Sequence, residues 1–114
     1  TPLQSLTVAN DESMTEMTRA LAHALLAEAA ASESTAERLT RLFRRCLVRP
    51  PSANEVELLT KFLAEQRDHF AAHPAAARDV ALTEMPNDVE PAERAAWVAT
   101  ARVLLNLDEF ITRE

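Results

Sequence analysis

The chain of 114 residues contains no glycine. A domain of this length holds about eight glycines on average, from a usage of roughly 7%. This absence excludes glycine-rich phosphate loops, the dinucleotide-binding turn and the nucleophile elbow of serine hydrolases. It also disfavours the tightest β-hairpin turns. Alanine, with 22 residues, is frequent, whereas valine and isoleucine together number 8, and this balance favours helices over strands.

Length and charge narrow the class of protein further. We expect residues 1–114 to form one domain. The formal net charge of −6 disfavours nucleic acid as a partner, because nonspecific affinity for phosphates comes from cationic side chains. No apolar run is long enough to predict a membrane span. The chain begins with Thr1 and lacks a recognisable signal peptide, so we expect a fragment of a larger protein.

Several helix starts are indicated by capping boxes, in which Ser or Thr precedes Glu or Gln by three residues and two backbone amides are satisfied reciprocally. These boxes are Thr1/Gln4, Ser13/Glu16, Ser34/Glu37 and Ser52/Glu55. Proline is favoured at the first helical position, where its missing N–H costs nothing. Pro2, Pro74 and Pro91 fit that position.

Apolar residues then recur with the 3.6-residue period of amphipathic helices. The pattern predicts helices at about 2–10, 14–31, 35–48, 53–72, 75–82 and 91–107, with a loop over 83–90. Because the connections are short, neighbouring helices are expected to run antiparallel. The predicted fold is all-α, a compact antiparallel bundle of five to six helices.

The third predicted helix and the residue after it carry five arginines in twelve residues, with no acidic residue from the first to the last. They are Arg38, Arg41, Arg44, Arg45 and Arg49. Three kinds of partner are open: nucleic acid, another acidic protein, or acidic segments of the same chain. We favour the last, because the spacing of Arg38, Arg41 and Arg45 forms one stripe that can meet carboxylates on a neighbouring helix.

Few other residues have a pattern that indicates chemistry. Glu65, His69 and His73 are spaced four apart, so a continuous helix would place them on one face, as in zinc sites. We favour a structural role for both histidines, which lie where the helix is expected to end and can cap its carbonyls. His23 is expected to be structural, and Cys46 to be a buried thiol on an apolar stripe. We therefore expect no catalytic, cofactor or metal site in this chain.

Four segments together are similar to a known family. They are residues 1–11, 45–55, 62–67 and 96–110. In order and spacing they resemble the C-terminal part of a domain of unknown function that closes large exported proteins of Planctomycetes, many of which begin with a cytochrome-c-like domain. The matching positions are Asn10, Asp11, Arg49, Pro50, Pro51, Trp97, Asn106, Asp108, Glu109 and Phe110. Val48 stands where relatives usually have glycine.

The resemblance implies export, to the periplasm or cell envelope, and association with a larger polypeptide. It implies haem only in a preceding domain, because this chain lacks the C-x-x-C-H attachment motif. It implies no established activity. We expect a non-catalytic interaction or scaffolding module that contacts preceding domains or another protein. The alternative is one part of a composite hydrolytic or redox site.

The matching residues themselves suggest structural roles. Asn10 and Asn106 each follow an apolar run, where asparagine can adopt the left-handed conformation that ends a helix. Pro50 and Pro51 stop one helix before the next begins. Trp97 is expected to anchor the core with its indole N–H paired. For the acidic residues we favour salt bridges or caps over a cation site formed by Asp11, Asp108 and Glu109.

Overall fold

The computed structural model describes residues 12–28, 32–47, 49–81 and 90–112, with side chains described from 15 to 106 within these ranges. These ranges contain five helices and no strand, which confirms the all-α prediction. The helices are α1 (Glu12–Glu28), α2 (Thr35–Cys46), α3 (Ala53–Ala72), α4 (Pro74–Ala81) and α5 (Pro91–Thr112). The predicted helix at 2–10 and nearly all of the predicted loop lie outside the described residues.

Two of the predicted capping boxes start helices. The Ser34 hydroxyl accepts the N–H of Glu37 at 3.1 Å, and the Glu37 carboxylate accepts the N–H of Ser34 at 2.8 Å. Ser52 and Glu55 repeat this arrangement at the start of α3. Ser13 is not at the predicted N-cap position, because α1 begins at Glu12 and Ser13 lies inside it, and its side chain lies outside the described ones. The box at Thr1 lies outside the described residues.

Proline marks the first turn of two helices, as predicted. Pro74 is the first residue of α4 and Pro91 the first of α5. The helix predicted at 75–82 is therefore shifted by one residue, whereas the bounds predicted for α3 match the structure. Proline presets the helical φ and has no N–H. At the first helical position it therefore removes no backbone hydrogen bond.

The ends of α2 and α5 differ from the predicted ones. The helix predicted at 35–48 ends at Cys46, because Leu47 is extended (φ −126°, ψ 152°) while its N–H still donates to the Phe43 carbonyl. The last helix continues to Thr112, so the expected exit at Asn106 is wrong. Neither glycine nor proline follows Asn106 to stop the helix. No described residue has a positive φ, so these helix ends use other conformations.

The core is built around α5, which packs against the other four helices. Trp97 and Leu104 on this helix are fully buried, as are Ala96 and Ala101. Alanine leaves little side chain between helices, so their backbones can approach closely. A smaller apolar cluster lies where α3, α4 and α5 meet. Its buried members are Phe70, Ala77, Ala81 and Ala95.

An arginine joins α1 to the end of α4. The Arg19 guanidinium on α1 donates to the carbonyls of Val80 at 3.0 Å and Asp79 at 2.9 Å. The last carbonyls of a helix have no partner within it. Arg19 therefore satisfies acceptors of α4 and connects elements that are distant in sequence.

The molecule is close to the size expected of a compact chain. Its Cα radius of gyration is 13.8 Å, against about 13 Å from the scaling for folded domains. In the part of the chain that the structure describes, no helix has both the length and the apolar character needed to cross a bilayer.

Candidate functional site

The arginines of α2 form a network of ion pairs with neighbouring carboxylates. The Arg41 guanidinium donates to Glu33 at 2.8 and 3.0 Å and to Glu28 at 3.1 Å. It also donates to the Leu25 carbonyl at 3.2 Å. Arg45 pairs with the same Glu28 carboxylate. Because Glu28 and Leu25 belong to α1, the network ties α2 to α1. These contacts match the intrachain alternative.

Arg38 extends this network towards the core. Its Nε donates to the Glu33 carboxylate at 3.3 Å, and its guanidinium carbon lies 5.7 Å from the centre of the Trp97 ring, within cation–π range. The hydrogen bonds from Arg41, together with Arg38, hold the pKa of the Glu33 carboxyl below its ordinary value despite an opposing effect of burial. Glu33 is therefore maintained as an anion that bridges two arginines.

Arg49 forms a separate ion pair across the connection between α2 and α3. Its two terminal nitrogens each donate to one Glu55 oxygen at 2.8 Å, and its guanidinium lies 5.2 Å from the centre of the Phe43 ring. Hydrogen bonds from Arg49, and then from the Ser52 N–H, lower the pKa of the Glu55 carboxyl to about 2. Pro50 and Pro51 lie between the two helices, as predicted. We call this arrangement the Arg49–Glu55 clasp.

A third polar group lies between α3 and α5 and was not predicted. Arg67 donates to both oxygens of Glu93 at 2.7 Å, and the Trp97 indole N–H donates to Glu93 at 2.9 Å. Burial raises the pKa of the Glu93 carboxyl, but the hydrogen bonds from Arg67 and Trp97 outweigh this effect and the net pKa is lowered. The pairing of the Trp97 N–H is confirmed.

The sequence holds part of the signal for this group. Glu93 precedes Trp97 by four residues, which places the two side chains on one helix face. Arg67 is 26 residues away from Glu93 on another helix. Only the packing of α3 on α5 brings that guanidinium to the carboxylate.

The two predicted histidines meet at the end of α3. Their rings stack with centres 4.6 Å apart. His73 ends the helix, and its Nδ1 lies 2.8 Å from the His69 carbonyl oxygen. Both residues and Glu65 are exposed. Among the described residues there is no group of three or more His, Cys, Asp or Glu side chains placed to hold a metal ion. The contacts of His73 are those of a capping residue.

A cavity of about 260 Å³ opens where α3 ends and α4 and α5 begin. Phe70 and Ala77 form its buried floor, and Arg78 and Glu90 lie at its exposed edge. Its volume is below the roughly 300–1,000 Å³ typical of sites for drug-sized ligands.

The remaining predicted residues divide into described and undescribed positions. Cys46 is a buried thiol that forms no disulfide, as predicted, and His23 is half-buried in α1. The Oδ1 atom of Asn106 is buried without a hydrogen-bond partner. The cation site considered as an alternative lies outside the described side chains. The undescribed positions are Asn10, Asp11, Val48 and the side chains of Asp108, Glu109 and Phe110.

Comparison with known proteins places the chain in a family. The family model PSD1, described as a protein of unknown function (DUF1553), matches residues 1–63. This range includes the opening segment and the Arg49–Glu55 clasp but not the segment around Trp97. No curated protein and no solved structure matches the chain. Since more than half of its residues match the model, the chain belongs to the DUF1553 family of proteins of unknown function.

Proposed function

We propose that the chain is a non-catalytic interaction or scaffolding module at the C-terminal end of an exported bacterial multidomain protein. The observation that carries this proposal is the pairing of its carboxylates with arginine. In the described part of the chain, each carboxyl group with a clearly changed pKa has that pKa lowered, and each accepts hydrogen bonds from arginine. These groups are Glu33, Glu55 and Glu93.

A lowered pKa supports a structural role for these groups. A carboxyl group that donates a proton near neutral pH needs a raised pKa. Here arginines stabilise the ionised form, so the carboxylates serve as fixed anions that hold helices together. Glu33 joins α2 to its preceding segment, and Glu93 joins α5 to α3.

The contact surface that we assign to this module lies on the outer side of α5. Val103 is 39% exposed there, although the residues beside it in the chain are at least partly buried. The arginine stripe of α2 contributes less, because Arg41 and Arg45 already pair with Glu28. An apolar side chain of this kind suits contact with a preceding domain of the same polypeptide.

Binding to the preceding region of the parent polypeptide tests this proposal. The isolated chain and that region are purified separately and mixed in a calorimeter. We expect saturable binding that Val103→Asp weakens about tenfold, the loss of one moderate hot-spot contact. Leu58→Asp, an equally disruptive change on another exposed surface, is the control and should bind normally. No binding, together with normal folding of a parent lacking this chain, would reject the proposal.

We assign export and any haem to the proposed parent protein. This assignment follows from the similarity of the segments described above to exported cytochrome-c-like proteins of Planctomycetes. We place the protein in the periplasm or cell envelope and any haem in a preceding domain. Cell fractionation with an antibody to this chain tests the location. Haem staining of the parent protein, compared with staining of the isolated chain, tests whether haem is bound in a preceding domain. A cytosolic parent without haem would contradict both.

A further inference from the structure

One side of α5, in the second half of the helix, carries polar atoms that the described structure leaves unpaired. Asn106 lies four residues after Arg102 and three after Val103, so the three side chains are neighbours on one side of the helix. The Nε atom of Arg102 and the Oδ1 atom of Asn106 are buried without a hydrogen-bond partner. Val103 beside them is 39% exposed. We call these three residues the α5 outer face.

The charge of Arg102 is not neutralised by the contacts that its side chain makes. The side chain is partly buried, and one terminal nitrogen donates to the Thr15 hydroxyl at 2.8 Å. Thr15 lies in the first turn of α1, where unpaired N–H groups give the helix end a partial positive charge. This contact therefore supplies a hydrogen bond but no opposite charge. No carboxylate of the described residues pairs with Arg102.

Other partly buried arginines of the chain have the partner that Arg102 lacks. Arg38 and Arg41 share the Glu33 carboxylate. Arg19 donates to two carbonyls at the end of α4, where the helix dipole is negative. Burying a charge without an opposite charge costs free energy, and buried polar atoms in folded proteins are nearly always paired. The α5 outer face therefore lacks an anion that the described part of the chain does not supply.

We propose that an acidic segment of the preceding region of the parent polypeptide docks on the α5 outer face and places an Asp or Glu carboxylate against Arg102. The proposal deepens the proposed function and rests on it, since it gives the chemistry of the partner at the same surface. Arginine pairs with carboxylates through short, directional hydrogen bonds. A phosphate polymer is the poorer occupant, because the chain has a net charge of −6 and would repel it. Val103 packs against an apolar part of the acidic segment.

Urea unfolding of the isolated chain tests whether Arg102 serves the partner or the fold. Arg102→Met keeps a long side chain and removes the unneutralised charge, so its urea midpoint should equal or exceed that of the unchanged chain. Arg67→Met is the matched control on another partly buried arginine. It leaves the Glu93 carboxylate without its guanidinium and should lower the midpoint. An equal loss of stability in both variants would assign Arg102 to the fold and overturn the proposal.

Calorimetric binding of the isolated chain to the purified preceding region tests the contact itself. Arg102→Met should weaken binding about tenfold or more, because removing one member of an interfacial charge pair leaves the carboxylate unpaired. Raising the salt concentration should weaken binding of the unchanged chain more than binding of the variant. Arg44→Met removes the same charge from an exposed residue of α2 and should bind normally. Circular dichroism confirms that each variant is folded.

Charge exchange then identifies the carboxylate of the partner. Arg102→Glu places two carboxylates together, so it should bind more weakly than Arg102→Met. Each Asp and Glu of the preceding region is changed to Lys in turn. One of these partner variants should restore binding to Arg102→Glu and weaken binding to the unchanged chain. Failure of every partner variant to restore binding would overturn the acidic segment as the occupant.

The binding results separate this inference from the proposed function. Binding that Val103→Asp weakens and Arg102→Met leaves unchanged would overturn the carboxylate contact but support the interaction module. Weakening by both variants, with normal binding of Arg44→Met, would support the two together. No binding of the unchanged chain to the preceding region would overturn the carboxylate contact as well as the assigned surface.

Discussion

Trp97 is the residue at which the apolar core and the charged network meet. Its ring is fully buried, its N–H donates to Glu93, and the Arg38 guanidinium lies over its face. A buried indole N–H needs an acceptor, because leaving it unpaired costs free energy. Glu93 supplies that acceptor and in turn keeps its charge through Arg67. One carboxylate therefore accepts hydrogen bonds from side chains on two helices.

Replacing the Glu93 carboxylate should destabilise the fold. Glu93→Ala leaves the Trp97 N–H and the Arg67 guanidinium without their acceptor, so the free energy of unfolding should fall by about 1–3 kcal/mol. Urea unfolding followed by the fluorescence of Trp97, the only tryptophan, measures the midpoint. Glu65→Ala, at an exposed position on α3, should change stability by no more than about 0.5 kcal/mol. Equal effects of the two changes would contradict the role assigned to Glu93.

At the scale of elements, polar groups at the junction of α2 and α3 are paired with one another through the Arg49–Glu55 clasp. Glu55 accepts from Arg49 and from the Ser52 N–H, and Ser52 accepts from the Glu55 N–H. One carboxylate thus caps α3 and holds the arginine that precedes the two prolines. Proline and a capping box mark this junction, and none of its described residues has the positive φ that favours glycine.

The clasp should make stability depend on acid pH. The pKa of Glu55 is about 2 in the folded chain, against an ordinary value of 4.5. A group whose pKa is lowered by folding stabilises the fold above its unfolded pKa and loses that effect as pH falls towards its folded pKa. The free energy of unfolding should therefore fall between about pH 4.5 and pH 2.

Comparison with a variant isolates this contribution. Glu55→Gln removes the ionisable group, so its stability should fall less steeply over that pH range than the stability of the parent chain. Glu33 and Glu93, whose pKa values are also lowered, should contribute to the slope that remains. Urea midpoints measured at several pH values give both curves. Identical slopes would show that Glu55 is not linked to folding.

At the scale of the whole molecule, the abundance of alanine allows helices to pack closely around α5. The long α5 helix contacts all four others, and three of its alanines, Ala95, Ala96 and Ala101, are completely buried. Small side chains let several helices approach a single central helix. Interiors are close-packed, so added volume at such positions forces the helices apart.

Filling one of these positions tests this packing. Ala96→Leu should lower the free energy of unfolding by about 1–3 kcal/mol, the usual cost of overpacking a core. Ala36→Leu adds the same atoms at an exposed position of α2 and should be nearly neutral. Both are measured by urea unfolding. A neutral Ala96→Leu would mean that α5 is packed more loosely than its burial indicates.

Local signals in the sequence predicted the elements well because their causes are local. Capping boxes at Ser34 and Ser52 act within one turn, and prolines act on their own φ. The apolar stripes of α2 and α5 identified the buried sides of these helices, including Cys46 and Trp97, whereas Met17, on the predicted stripe of α1, is exposed. The predicted end of α5 was wrong. Asparagine at position 106 permits a helix to end there, but no residue after it forces the helix to end.

The sequence by itself therefore determined the all-α class, most helix starts and the family to which residues 1–63 belong. Tertiary structure decided which charges meet. Arg41 reaches Glu28 across 13 residues and Arg67 reaches Glu93 across 26, and such pairings depend on how helices pack. It also decided that Leu58 on α3 stays exposed and that a cavity opens beside Ala71. A helix pattern specifies an apolar side, but only packing determines what that side covers.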